Sequence, residues 1–451
     1  MKKVIFSILI FCYSYSNANP DSLIIRKIYD EALENGECYQ NLRSLCKDVG
    51  ARLSGSPQAD QAVEWAKKLM ESYGFDKVWL QEVMVPVWQR ESEKCEVELK
   101  NGKSVSLNII TLGGSVAGEG EISAPVIEVK NFEELEKLGE NHIKGKIVFF
   151  NHPFDPKYIE TFRAYSSCVG YRFSGASNAA KYGAKAVIIR SMTEAYDNFP
   201  HTGVMAYKED IPKIPAVAIA SNHADSLHQW IKNSQVARIN LEVNCRTLPD
   251  KKSYNVIGEI TGATKPDEII LVGGHLDSWD VGEGAHDDGA GCVQSVEVLR
   301  IFKKLGIKPK HTIRAVLFMN EENGNRGGKT YAEQAALKNE KHIAAIESDR
   351  GGFTPRGFSF DSDELFFEKI KSFQSLFKPY LIHYFEKGYG GVDISPLKKQ
   401  GVPLIGFVPD SQRYFDFHHT KNDVFENVHE RELELGSATI ATLVYLIDKY
   451  F

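Results

Sequence analysis

Residues 268–305 read EIILVGGHLDSWDVGEGAHDDGAGCVQSVEVLRIFKKL. Glu268 to Val272 is a short, nearly continuous apolar run, and Gly291 to Leu305 carries its apolar residues at helical spacing. A strand apolar on both faces and followed by a helix is a unit of a parallel α/β sheet. Ile313-Arg-Ala-Val-Leu-Phe318 and His342-Ile-Ala-Ala-Ile346 are two more runs of the same kind. The expected fold is therefore α/β, with a mixed, largely parallel sheet sandwiched by helices.

Each of these three strands runs into potential ligands. The first leads to His275-Leu-Asp277, the second to Asn320-Glu321-Glu322, and the third to Glu347-Ser-Asp349. In open α/β sheets the carboxyl ends of the strands face the ligand crevice, so all three segments can point at one place. The loop before the helix adds His286-Asp287-Asp288, and a late loop adds His418-His419.

Two histidines and three carboxylates drawn from these segments would make a donor set that suits Zn²⁺. Asp277 is placed to bond the other ring nitrogen of His275 and fix its tautomer. Of the neighbours Glu321 and Glu322, if one holds metal the other points elsewhere and is free to act as a base. A lone His-x-Asp or Glu-Glu pair is commonly a solvated surface feature; the conjunction of several, in fixed order at strand ends, carries the argument. His286 and His418 are not expected as ligands. His142, His201, His311 and His342 are expected at the surface or in loops.

Outward from this centre, Asp21 to Glu34 and Gln58 to Tyr73 have helical spacing, with Pro57 at the first turn of the second helix. Residues 104–245 change texture: short β-like runs alternate with Gly, Pro and Asn breaks, and one helix is expected near Ser174 to Tyr182. The chain thus divides into a signal peptide (1–18), a first catalytic part (19–103), an inserted smaller β-rich domain (104–245) and a second catalytic part (246–451). Lys2 and Lys3, the apolar run Val4 to Tyr13 and the small residues Ser16-Asn17-Ala18 are the marks of an export signal too short to anchor stably in a membrane. The product is expected to be periplasmic or extracellular.

The formal charge is −6, and losing Lys2 and Lys3 with the signal takes it to −8. A mildly acidic chain does not suggest nucleic acid or an anionic membrane as partner. The six cysteines after residue 18 permit disulfides in an oxidising compartment but form no CxxC zinc site. A homodimer is compatible with the sequence and not fixed by it.

His275-x-Asp277, Gly284-Ala-x-Asp287-Asp288-x-x-Gly291, Glu321-Glu322, Asp349 and His419-Thr420 resemble, in order, the motifs of the two-zinc aminopeptidase-like exopeptidases. Gly274-His-Leu-Asp-Ser-Trp-Asp-Val-Gly282, Arg52-Leu-Ser-Gly-Ser56, His201-Thr-Gly203, Pro212-Lys-Ile-Pro215 and Phe417-His-His419 narrow the resemblance to secreted dipeptidases of that family. It covers nearly the whole chain after residue 18. The resemblance implies two zinc ions, with Asp287 bridging, His275 and Asp349 completing one, and Glu322 and His419 the other. Glu321 would be the base, and residues 104–245 a protease-associated-like lid.

Where many members carry tyrosine before the last ligand this chain has His418, which becomes a candidate catalytic residue and leaves the oxyanion donor open. The implied substrates are small peptides, dipeptides with both termini free; the alternative is aminopeptidase action on longer peptides. A one-zinc glutaminyl cyclase of the same fold is disfavoured by the full ligand set, and a non-catalytic module by the retained base.

Overall fold

The structure, a computed structural model, describes residues 20–451, so the expected signal at residues 1–18 lies outside the described residues. In chain order the strands are β1 (Lys77–Leu99), β2 (Ser104–Ser106), β3 (Ile109–Thr111), β4 (Ile122–Ala124), β5 (Val126–Val129), β6 (Ile147–Phe150), β7 (Ala186–Arg190), β8 (Ala216–Ile219), β9 (Val236–Ile260), β10 (Lys265–His275), β11 (His311–Phe318), β12 (Lys341–Glu347), β13 (Pro355–Asp361), β14 (Tyr384–Lys387) and β15 (Leu404–Pro409).

The larger sheet has ten strands in the order β14-β13-β15-β12-β10-β11-β9-β1-β2, with β4 joined to β9. Its centre, β11-β10-β12-β15, is parallel. Beyond the centre it turns antiparallel, at β9 on one side and β13 on the other. Successive side chains of a strand point to opposite faces. Ile270 and Val272 accordingly enter one core, with the helices Pro20–Asn35, Pro57–Ser72, Ala290–Lys304 and Glu430–Tyr450. Leu271 enters the other, with Tyr331, Ala332 and Ala335 of the helix Arg326–Leu337. This two-sided burial is why the central strands read as apolar runs.

β1 and β9 form one long antiparallel ribbon, paired from Lys77↔Glu259 to Leu99↔Val236. β9 runs through the expected boundary at residues 245 and 246 without a break. The far end of the ribbon packs Val97, Leu241 and Val243 against Ile147, Ile188 and Val217 of a second sheet. That sheet has the order β3-β8-β7-β6-β5 and is parallel from β5 to β8.

The expectation of a β-rich segment with one helix near residues 174–182 needs correction. Residues 104–245 carry three helices, Phe132–Ile143, Thr161–Ala180 and Ser221–Lys232, beside strands of three to five residues and the start of β9. The helix Thr161–Ala180 begins well before the expected start because Ser166, Ser167 and Gly170 interrupt its apolar stripe. It packs with Phe353, Tyr414 and Phe415 from the C-terminal part of the chain, and its Phe162, Tyr165 and Arg172 line one cleft with Glu347 and Asp349 at the end of β12.

Among the described residues all six cysteines are free and buried. No helix of the described residues is long and apolar enough to cross a membrane. His142 is exposed and His201 lies in a loop, though buried, as expected of surface or loop residues, but His311 and His342 are buried within β11 and β12. His311 is held between Asp448 at 3.0 Å and Glu268 at 3.2 Å. His342 meets the Tyr331 hydroxyl at 2.8 Å. The partners of His311 lie 43 and 137 residues away along the chain and leave no local mark in the sequence.

Candidate metal centre

β10, β11 and β12 run side by side and end together, so His275, Glu321-Glu322 and Asp349 emerge at one edge of the sheet. Gly274 is needed there: a Cβ on it would lie 2.4 Å from Asp288 Oδ2. That oxygen accepts the His275 backbone N–H at 3.0 Å, and Asp288 Oδ1 accepts Gly291 N–H at 3.0 Å. Asp423 accepts the N–H groups of His286 and Asp287 at 2.7 and 3.1 Å, fixing the loop that presents Asp287. Arg52 donates to the carbonyls of Leu276, Glu283 and Gly284 and ties down the chain between His275 and Asp287.

Asp287 lies between two histidines. Its Oδ1 is 3.2 Å from His275 Nε2 and its Oδ2 is 3.2 Å from His419 Nε2. Asp349 Oδ1 is 3.4 Å from His275 Nε2, and Glu322 Oε2 is 3.1 Å from His419 Nε2. All five expected ligands therefore stand together in two groups that share Asp287.

The donors fit zinc on three counts. Two donors each about 2.0–2.2 Å from a tetrahedral zinc stand roughly 3.3–3.6 Å apart, close to the separations seen here. Asp287 Oδ2 and Glu322 Oε1 are buried with no hydrogen-bond partner, an arrangement costly without a cation. Both histidines have Nδ1 against a carbonyl, His275 on Asp277 O at 2.9 Å and His419 on Thr202 O at 3.2 Å. An Nδ1–H donated to a carbonyl leaves the Nε2 lone pair for a metal.

Asp277 fixes His275 through its backbone carbonyl rather than its side chain, which corrects the expected carboxylate contact. Its Oδ1 instead accepts the N–H groups of Asn320 at 2.6 Å and Glu321 at 3.1 Å. The carboxylate therefore sets the backbone of the turn that presents the two glutamates.

Glu321 Oε2 reaches within 4.0 Å of His275 Nε2, farther than the nearer ligands. Burial holds its carboxyl well above the usual range, and the charges of Asp349 and Glu322 add to this against the pull of His275. Glu322 is pushed up to about 7 by burial and by Asp287.

His418, not expected as a ligand, stacks on His419 with ring centroids 3.5 Å apart and brings Nε2 to 3.8 Å from Asp287 Oδ2. Burial and the neighbouring His419 hold its imidazole well below the usual range, hence neutral. His286 has both ring nitrogens engaged, by Asn427 O and Gly352 N–H, and stays out of the centre as expected.

The centre forms the floor of a cleft of about 350 Å³. One wall is Phe162, Tyr165 and Arg172 of the helix Thr161–Ala180; the other is Gly390-Gly391-Val392. Glu347 holds that second wall by accepting the N–H groups of Val392 and Ile394 at 2.7 and 2.9 Å. Sequence reasoning missed Arg172 and Asp423, and it quoted Thr202, Asp288 and Glu347 within motifs without giving them these roles. For Thr202 the motif His201-Thr-Gly203 was a signal, though nothing in it says that a carbonyl is the working group.

A profile of peptidase family M28 matches residues 255–444. The chain is 34% identical to carboxypeptidase Q of Bos taurus over 427 residues, 94% of this chain and 88% of that protein. It is 37% identical to carboxypeptidase Q of Xenopus laevis over 415 residues, covering 91% and 85%. Among solved structures it is similar to a peptidase M28 precursor from Shewanella amazonensis, with a TM-score of 0.90 and 33% identity over 95% of this chain and 96% of that one. A zinc aminopeptidase from Bacillus subtilis shares the fold at a TM-score of 0.67 and 20% identity, covering 91% and 94%.

Proposed function

Because this chain belongs to peptidase family M28, we propose that it is an exported two-zinc exopeptidase that hydrolyses unblocked dipeptides. The observation that carries the reading is Asp287, whose two oxygens each face a different histidine at 3.2 Å. His275 and Asp349 would hold one ion, Glu322 and His419 the other, and Asp287 both. When bound, the two ions supply a Lewis acid for the scissile carbonyl and lower the pKa of a water toward roughly 7.

Glu321 does the proton work. Its Oε2 faces the centre without belonging to either ligand group, and its raised proton affinity suits a group that takes a proton from the attacking water and passes it to the leaving amine. Asp277 keeps the glutamate in place through the backbone. His418, neutral and beside Asp287, is placed to donate to the developing oxyanion.

Dipeptide action is supported by the helix Thr161–Ala180, which walls a cleft at the small end of the roughly 300–1,000 Å³ range of small-molecule sites. Residues 104–245 would thus act as a lid that excludes water and limits peptide length. The test is kcat/KM on free dipeptides, tripeptides and pentapeptides of matched sequence. A steep decline with length is expected. Equal or better turnover of pentapeptides would favour a general aminopeptidase and remove the lid argument.

A further inference from the structure

Four arginines are deeply buried among the described residues, and three have evident partners. Arg300 pairs with Glu297 and Glu31, Arg314 with Glu259 and Glu340, and Arg52 spends its donors on loop carbonyls. The fourth, Arg172, is 6% exposed and forms no ion pair among the described residues. It lines the cleft beside the metal centre.

Its shortest contact is from Nη2 to the Tyr165 hydroxyl at 2.6 Å, and the guanidinium carbon lies 5.4 Å from the centroid of the same ring. Nη1 lies 3.4 Å from Thr202 O, an oxygen already serving His419, and Nε is buried with no partner. Space is reserved for it: a Cβ on Gly203 would sit 2.4 Å from Arg172 Nη1, and Gly203 has a φ of +136°. A buried charge without a counter-ion is costly, so a guanidinium with no carboxylate beside it and an unpartnered Nε at the edge of a cleft is suited to an anion.

The metal centre does not supply that anion. None of Asp287, Glu321, Glu322 and Asp349 forms an ion pair with Arg172 among the described residues, although all of them line the same cleft.

The span is compatible with a short anionic ligand. Arg172 Nη1 is 3.4 Å from His419 Nδ1. The far side of that ring carries Nε2, and a Zn–N bond of about 2.0–2.1 Å beyond it places Nη1 roughly 7 Å from the ion. A scissile carbonyl held at the ion, one residue of about 3.8 Å beyond it and a charge-assisted hydrogen bond of about 2.8 Å make a bent path that can end within that reach. Each further residue would lengthen an extended path by about 3.3–3.6 Å.

We infer that Arg172 binds the free C-terminal carboxylate of a dipeptide, one residue past the scissile bond, and so sets both the length and the terminus that the enzyme accepts. This rests on the dipeptidase reading above. Guanidinium rather than ammonium suits the task, because its planar fork pairs with both carboxylate oxygens. The half-exposed Arg350 also lines the cleft but lies over the Phe162 ring, 5.1 Å from its centroid.

The test compares Ala-Leu with its C-terminal amide on the zinc-loaded wild type, Arg172→Lys and Arg172→Met. The readout is the acid-to-amide ratio of kcat/KM within each preparation, which is insensitive to the fraction of correctly folded protein. Calorimetric titration of free leucine and of leucinamide gives the same comparison without turnover. The wild type is expected to favour the acid, and both variants to lower the ratio at least about tenfold.

A wild type that favours the acid, with variants that keep the ratio, overturns the assignment of Arg172 and leaves the dipeptidase reading standing. Acid and amide falling together in the variants also overturns it, in favour of a packing role. No acid preference in the wild type defeats the dipeptidase reading itself, and this inference with it.

Discussion

Replacing Glu434 by glutamine removes a buried titrating group from the helix Glu430–Tyr450 with little change of shape. Glu434 is 5% exposed. Its Oε1 accepts the Tyr39 N–H at 3.1 Å, while Oε2 is buried without a partner. Burial and the nearby Glu297 push its carboxyl up from 4.5 to about 8. The bidentate clamp of Arg300 on Glu297, at 2.7 and 2.6 Å, leaves that guanidinium little to offer Glu434.

A folded-state pKa raised above the unfolded value gives stability that is complete below about 4.5 and lost as the pH climbs through about 8. At 1.36 kcal/mol per unit, linkage between pH 5 and pH 9 amounts to at most about 4 kcal/mol. Because Glu434 borders a surface cleft, about 2 to 4 kcal/mol is the expected range. Glutamine imitates the protonated acid at every pH. Urea denaturation at pH 5, 7 and 9 should therefore show Glu434→Gln near wild type at pH 5 and more stable by that amount at pH 9. Parallel stability curves for the two proteins would refute the reasoning.

Glu321→Gln keeps the shape of the proposed base and removes its proton acceptor, so kcat should fall at least about a hundredfold with zinc content unchanged; near-normal turnover would exclude Glu321 as the base. Asp277→Asn weakens the acceptor for Asn320 and Glu321 N–H, and should lower kcat while leaving His275 able to hold metal; loss of zinc with unchanged kcat in the remainder would contradict that division. N-terminal sequencing of exported protein should begin near Asn19, and cytoplasmic protein retaining residues 1–18 would exclude export.

His275, Asp349 and the Glu321-Glu322 pair were legible because a two-sided apolar run announces a parallel strand, and a parallel sheet delivers its strand ends to one crevice. The histidine shells were less legible. The groups that orient His275 and His419 are the carbonyls of Asp277 and Thr202, and every residue has a carbonyl. Arg172 was hidden differently: small polar residues break the apolar period of its helix, so neither the helix start nor its cleft face could be read. The burial of His311 depends on Asp448, a partner at the far end of the chain.

The central claim is a pair of zinc ions joined by Asp287. Metal analysis of purified active wild type and of Asp287→Ala tests it most directly. The account predicts two zinc ions per chain in the wild type, activity lost on chelation and restored by Zn²⁺, and fewer than two ions with activity lost in the variant. A fully active wild type with one ion or none, or an Asp287→Ala protein that still holds two tightly, would contradict it.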